Sequence, residues 1–238
     1  MKHKENYKDL EKKIGLKFKD LELLKKAFTH RSYLNEHRGE GIEDNERLEF
    51  LGDAVLELVA TKHLFENYPE QTEGQMTAYR SALVKGKHLA EVGLELELGQ
   101  YLLLSVGEER SGGRTKKYIL GNAVESLIGS IYLEHGYEKT EEVIEKFILK
   151  KLDEIIENEL HIDAKSRFQE QAQEEEGITP HYEVLGEDGP DHKKNFTMGA
   201  FMEEKLIAKG MGASKQKAEN EAAKEALKIK GWELRRMK

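Results

Sequence analysis

A chain of 238 residues without a single cysteine excludes a disulfide framework and a thiolate zinc site, and it suits a reducing, cytoplasmic setting. Its apolar runs fall short of the ~18 to 20 residues that a membrane span requires, and the opening Met-Lys-His-Lys-Glu-Asn has no apolar signal core, so no membrane partner is expected. The net charge of −8 argues against a polyanionic ligand only until its distribution is read. From Gly210 onward eight Lys and Arg stand against four Asp and Glu, and local charge, not the total, decides phosphate binding.

With three prolines in all and helical periodicity from Leu10 to about Leu160, residues 1–160 read as an all-α domain. The helical segments in order are LEKKIGLKF, LELLKKAFTHRSYL, NERLEFLGDAVLEL, TAYRSALVKGKHLAEVGLEL, YILGNAVESLIGSIYLEHG and EKTEEVIEKFILKKLDEIIENEL, with HRGEGIEDN and SVGEERSGGRTKK as breaks. Asn45 or Asp44 is expected to cap the third.

In that third segment Glu46, Glu49 and Asp53 fall within a sector of about 60°, while Leu48, Leu51, Val55 and Leu58 gather on the opposite side. Taken alone, an acidic face is as readily a solvated one. Glu125 is different, because nearly every residue between Ala123 and Leu133 is apolar. An unpaired buried carboxylate costs several kcal/mol, so it needs a partner. A salt bridge inside a helical bundle and a divalent cation shared with other acids both remain open. Asn122 lies one turn away on the same side.

After ENELHIDA the grammar changes, with the boundary near residue 161. DAKSRFQEQAQEEE reads as a helix that points Phe168 and Ala172 to a core and gathers Ser166, Gln169, Glu170 and Gln173 on one face. HYEVLGEDGPDHKKNFTMGAFMEEKLIAKG reads as three strands, with Gly-Pro-Asp marking a turn. SKQKAENEAAKEALKI is a closing helix, with Ser214 as N-cap and Ala218, Ala222, Ala226 and Ile229 on its buried side. Residues 161–238 thus form a small α+β domain of α-β-β-β-α order, with Trp232 expected to cover its core.

NERLEFLGDAVLEL resembles the signature helix of ribonuclease III. AFTHRSY, SGGRTKKYILGNAVESLIGSIYLEHG and the second unit resemble successive parts of a bacterial ribonuclease III over nearly the full chain. The resemblance implies the ribonuclease III fold joined to a double-stranded RNA-binding domain, working as a homodimer whose two active sites cut opposite strands. It also implies Mg²⁺-dependent hydrolysis leaving 5′-phosphates and two-nucleotide 3′ overhangs, in processing of ribosomal and messenger RNA. By the same resemblance Glu49, Asp53, Asn122 and Glu125 occupy ligand positions for Mg²⁺, or Mn²⁺ in its place, with Asp53 and Glu125 nearest the chemistry. Glu46 matches a further acidic position that orients substrate or water. Hard oxygen donors suit such an ion, which lowers the pKa of its water.

One departure matters: the family pattern has Asp where this chain has Asn122. An amide oxygen still ligates Mg²⁺, but a negative charge is lost and weaker binding is expected. Either this is an active natural variant, or the chain is a duplex-RNA-binding protein with weakened or lost cleavage.

In the second unit the resemblance names three contact regions. The neutral face of Ser166, Gln169, Glu170 and Gln173 suits the minor groove of A-form RNA, and GPDH brings His192 to a second minor groove. Ser214, Lys215, Gln216 and Lys217 sit at a helix N-terminus, where N–H groups and lysines favour phosphate. Gln216 stands where another lysine is usual, so weaker and less salt-sensitive binding is expected. His30 reads as a structural hydrogen-bonding residue. Arg110, Arg114, Lys116 and Lys117 either meet RNA phosphates or belong to a solvated loop. Glu73 is explained by a helix start as well as by a substrate contact.

Overall fold

Apolar stripes at helical spacing build the first unit, Met1–His161. There the computed structural model has α1 (Lys8–Ile14), α2 (Leu21–Ala27), α3 (Arg31–Leu34), α4 (Glu46–Asn67), α5 (Glu73–Leu83), α6 (Gly86–Glu95), α7 (Val106–Arg110), α8 (Lys117–Phe147) and α9 (Leu152–Glu157). Residues 7–157, 164–190 and 194–232 are described. Among them no helix is long and apolar enough to cross a membrane.

The core is organised around α8, whose first half is apolar on nearly every side and buries Ile119, Leu120, Ala123, Val124, Leu127, Ile128 and Ile131. A helix apolar all round has to be surrounded, and α4 and α6 pack against it. Gly136 interrupts α8 with φ +79 and ψ −177, a conformation open to glycine. This is where the sequence divides one helical segment from the next.

The buried stripe of α4 differs from the sequence expectation. Leu48, Gly52, Val55, Leu56, Val59, Ala60 and Leu64 are buried, whereas Leu58, expected inside, is 57% exposed. The stripe is rotated by roughly a quarter turn towards Gly52, the residue that lets another backbone come nearest.

Four segments expected to be continuous are broken. LEKKIGLKF ends its helix at Gly15, in the left-handed region (φ 81), and LELLKKAFTHRSYL becomes α2 and α3, parted by the extended His30 (φ −73, ψ 144). TAYRSALVKGKHLAEVGLEL becomes α5 and α6, parted by the extended Lys85 (φ −63, ψ 133). Thr72 and Gln75 form a capping box at the start of α5. The last long segment stops at Ile148, whose carbonyl lies 3.2 Å from the Nε2 of buried His88 on α6. A 3₁₀ turn over Leu149–Lys151 then leads into α9. In the reverse sense, SVGEERSGGRTKK, expected as a break, contains α7, capped by Ser105, and a 3₁₀ turn at Gly113–Thr115.

The second unit, Ile162–Lys238, has α10 (Ala164–Glu176), β1 (His181–Asp188), β2 (Asn195–Met202), β3 (Lys205–Gly212) and α11 (Lys215–Lys230). The strands pair antiparallel in the order β1-β2-β3. Phe168 and Ala172 of α10, Ala200, Met202 and Ala208 of the sheet, and the alanines of α11 share one core. α11 lies so near β3 that a Cβ on Gly210 would stand 2.1 Å from the Ala222 nitrogen. Its buried stripe runs through Ala218, Ala222, Ala223, Ala226 and Leu227. That centring leaves Ile229, expected inside, at the edge and 65% exposed. Trp232 packs on this core with its ring 6.0 Å from that of Phe168.

Candidate active site

Two glycines decide where α4 and α8 meet. A Cβ on Gly52 would stand 1.7 Å from the Glu125 backbone oxygen, and one on Gly129 would stand 2.3 Å from the Leu48 backbone oxygen. Only residues without a side chain admit backbones this close. Glycine inside a helix costs about 1 kcal/mol relative to alanine, and the close crossing offsets it. Glu49 precedes Gly52 by one turn and Asp53 follows it directly, so the crossing sets both acids beside Glu125.

The start of α4 is held in register by hydrogen bonds on either side. Asn45 occupies the N-cap position, but its side chain makes no cap bond; the Asn45 Nδ2 donates to the Ala27 carbonyl at 3.3 Å instead. Asp44 supplies the cap, accepting from the Glu46 N–H at 3.3 Å. The Ser126 hydroxyl of α8 donates to the Asn45 carbonyl at 3.3 Å, tying the acidic turn to the helix that carries Glu125.

Burial pushes the Glu125 carboxyl up to about 7, and the carboxylates of Asp53 and Glu49 push it the same way. A cationic partner would act in the opposite direction, so the salt bridge left open by the sequence is not what holds Glu125. Glu49 is also raised, first by burial; a hydrogen bond from Asn122 opposes this, and Glu46, Asp53 and Asp44 add to it. Asp53 and Glu46 are exposed, and Glu46 accepts from the Arg31 guanidinium at 3.3 Å.

Glu46, Glu49, Asp53, Asn122 and Glu125 are thus neighbours: Asn122, Glu46 and Asp53 act on Glu49, and Asp53 and Glu49 act on Glu125. Among the described residues, no three His, Cys, Asp or Glu side chains form a ready ion cage. The neighbouring carboxylates repel one another, and that repulsion is what a hard divalent cation relieves. The donors are carboxylate and amide oxygens throughout, a set that fits such an ion.

Several other singled-out residues carry structural duties. His30 caps α3, accepting from the Ser32 N–H at 3.2 Å, and its ring Nδ1 lies 2.8 Å from the Ser32 hydroxyl. Arg114 donates to the Gly99 and Leu102 carbonyls at 2.8 and 2.9 Å and to Glu109 at 2.9 Å. Lys116 is paired with Glu108 at 2.6 Å. Arg110 and Lys117 are exposed. Glu73 opens α5 and accepts from the Thr77 hydroxyl at 3.0 Å.

In the second unit Ser166, Gln169, Glu170 and Gln173 are all exposed on α10, and Gln173 accepts from the Thr179 hydroxyl at 3.2 Å. Ser214 caps α11, accepting from the Lys217 N–H at 3.3 Å, and Lys215, Gln216 and Lys217 are exposed in its first turn. His192 lies outside the described residues.

Sequence reasoning passed over Gly52, Gly129 and Phe50. The signal for the glycines was their place inside apolar helices, which calls for a packing reason. Phe50 is 81% exposed on the acidic side of α4. It borders an apolar cavity of about 590 Å³ whose walls include Leu48, Leu51 and Leu133.

Comparison with known proteins adds an independent line. Residues 20–152 match the model of the Ribonuclease-III-like family, and residues 164–230 match the Double-stranded RNA binding motif. Ribonuclease 3 of Listeria welshimeri is 42% identical over 223 residues, covering 93% of this chain and 96% of that protein. Ribonuclease 3 of Nitratiruptor is 44% identical over 221 residues, covering 93% and 95%. A solved nuclease domain of ribonuclease III from Campylobacter jejuni, described as flexible in a region involved in dimer formation, superposes with a TM-score of 0.57. It is 41% identical and covers 61% of this chain and 97% of its own.

Proposed function

From the premise that this chain belongs to the ribonuclease III family, and is an endoribonuclease of double-stranded RNA, we propose how its residues divide the labour. Glu49, Asp53, Asn122 and Glu125 hold Mg²⁺, for which Mn²⁺ can substitute. The observation that carries this is Glu125, half-buried between two carboxylates and raised to about 7, a position that calls for a cation. When bound, such an ion supplies an acidified water and neutralises charge on the phosphate.

The chain's own residues supply the placement. The Gly52 crossing brings Asp53 beside Glu125, which supports assigning these two to the reacting phosphate, and the hydrogen bond from Asn122 orients Glu49. Glu46, exposed in the first turn of α4, positions substrate or water. The products proposed are 5′-phosphate ends with two-nucleotide 3′ overhangs, in ribosomal and messenger RNA processing within the cytoplasm.

Two copies are proposed to act together, each cutting one strand of a duplex. Support comes from Phe50, exposed next to an apolar cavity on the same helix as Glu46: an aromatic side chain and a cavity on one surface suit a two-fold, self-complementary contact. The second unit grips the duplex through α10, the β1–β2 loop with His192, and the first turn of α11.

Cleavage of a perfect RNA duplex with Mg²⁺ and then Mn²⁺ tests the reading. Strand cuts staggered by two nucleotides are expected from the wild-type protein, and Glu125→Gln should abolish them while leaving duplex binding intact. A wild-type protein that binds the duplex and yields no product with either ion would mark the chain as a duplex-RNA-binding protein without cleavage.

A further inference from the structure

The row of residues at the open end of the second unit's sheet contains an acid among lysines. Glu187 of β1 pairs with Phe196 of β2, which pairs in turn with Gly212 of β3. Gly212 abuts the first turn of α11 so closely that a Cβ there would stand 2.6 Å from the Ala218 nitrogen. This register brings Lys215 back over the strands. Its ammonium lies 5.7 Å from the centre of the Phe196 ring and 3.9 Å from the Glu187 carboxylate. The same carboxylate takes Lys194, the residue immediately before β2, at 3.0 Å.

We infer that Glu187 is a built-in competitor for phosphate, holding Lys194 and Lys215 until duplex RNA displaces it. The inference rests on the reading of the first turn of α11 as a phosphate contact. One carboxylate facing two ammonium groups on a solvated surface binds each of them weakly, so RNA displaces it readily. Yet its negative charge stays near the incoming backbone and opposes every phosphate within a Debye length. The chemistry is regulatory: the acid sets how tightly and how salt-sensitively the unit holds RNA, and a looser grip favours release of cut product.

The full-length protein is titrated against a perfect RNA duplex by fluorescence anisotropy, without divalent cations so that no cleavage occurs, across a salt series. Glu187→Gln is expected to tighten binding by about threefold to tenfold at low salt and to steepen the salt dependence by up to about one counterion. Lys215→Ala is expected to weaken binding, and adding Glu187→Gln to it should recover only part of the gain. If Glu187→Gln binds no tighter than wild type while Lys215→Ala weakens binding, the competition is refuted and the phosphate contact stands. If Lys215→Ala leaves affinity unchanged while Glu187→Gln still tightens it, the α11 contact is refuted and competition through Lys194 stands.

Discussion

Replacing Gly52 with alanine places a methyl carbon 1.7 Å from the Glu125 carbonyl oxygen, 2.6 Å from its carbonyl carbon and 2.9 Å from the Gly129 nitrogen. All three are backbone atoms, so no side chain can swing away. α4 and α8 must part by about 1.5 Å or more before van der Waals distances return. Overpacking of this severity costs about 3 kcal/mol, and alanine returns about 1 kcal/mol of helix propensity, for a net loss of about 2 kcal/mol. In a unit of this size that lowers Tm by roughly 4–8 °C. The larger effect is on catalysis. The same parting carries Glu125 away from Glu49 and Asp53, and a displacement of about 1 Å at a reacting centre costs on the order of 10²-fold in rate. Duplex cleavage at saturating Mg²⁺, alongside calorimetric melting, measures both. Gly74→Ala is the control: it lies in α5 with nothing within 4 Å of an added Cβ, so cleavage should be unchanged and stability higher by up to about 1 kcal/mol. A Gly52→Ala protein with wild-type melting and cleavage would show that the glycine crossing does not bring the acids together.

Asn122→Asp should lower the Mg²⁺ concentration needed for half-maximal cleavage, since it adds a negative charge beside Glu49; an unchanged requirement in a Mg²⁺ titration removes residue 122 from the ligand set. Lys215→Ala with Lys217→Ala should weaken duplex binding and reduce its salt slope by about one per lysine, with turnover at saturating RNA preserved. Unaltered affinity in the salt series takes both residues off the interface. Phe50→Ala should raise the dimer dissociation constant by about tenfold or more, read by sedimentation equilibrium, and an unchanged constant would place the self-contact elsewhere. Burial holds His88 below the usual histidine range, so the folded chain resists its protonation. Its contribution to stability is complete above about pH 6.5 and is lost as pH falls through the folded value. His88→Gln should flatten that acid limb in melting curves, and a limb of unchanged steepness would assign it to other groups.

Local pattern carried much of this protein. Helical period from Leu10 to about Leu160, the α-β-β-β-α order that follows, the Ser214 cap and the shared face of Glu46, Glu49 and Asp53 are written in spacings of a few residues, because hydrogen-bond geometry repeats every turn or every second residue. The resemblance of NERLEFLGDAVLEL to ribonuclease III extended that reading to chemistry. What periodicity does not contain is how closely one element approaches another. Leu58 faces outward and Gly52 inward because α8 comes within backbone contact of α4 at the glycine, a distance set by both surfaces together. The helix after Gly136 stops at Ile148 because its carbonyl faces a histidine sixty residues earlier. Arg114 is turned to backbone carbonyls because Gly99 and Leu102 lie beside it in the fold. Glu125 shows the division most plainly: its apolar neighbours along the chain announced a costly buried charge. Its partners turned out to be two more carboxylates, not a lysine or arginine, and that depended on which faces the crossing of two helices brought together.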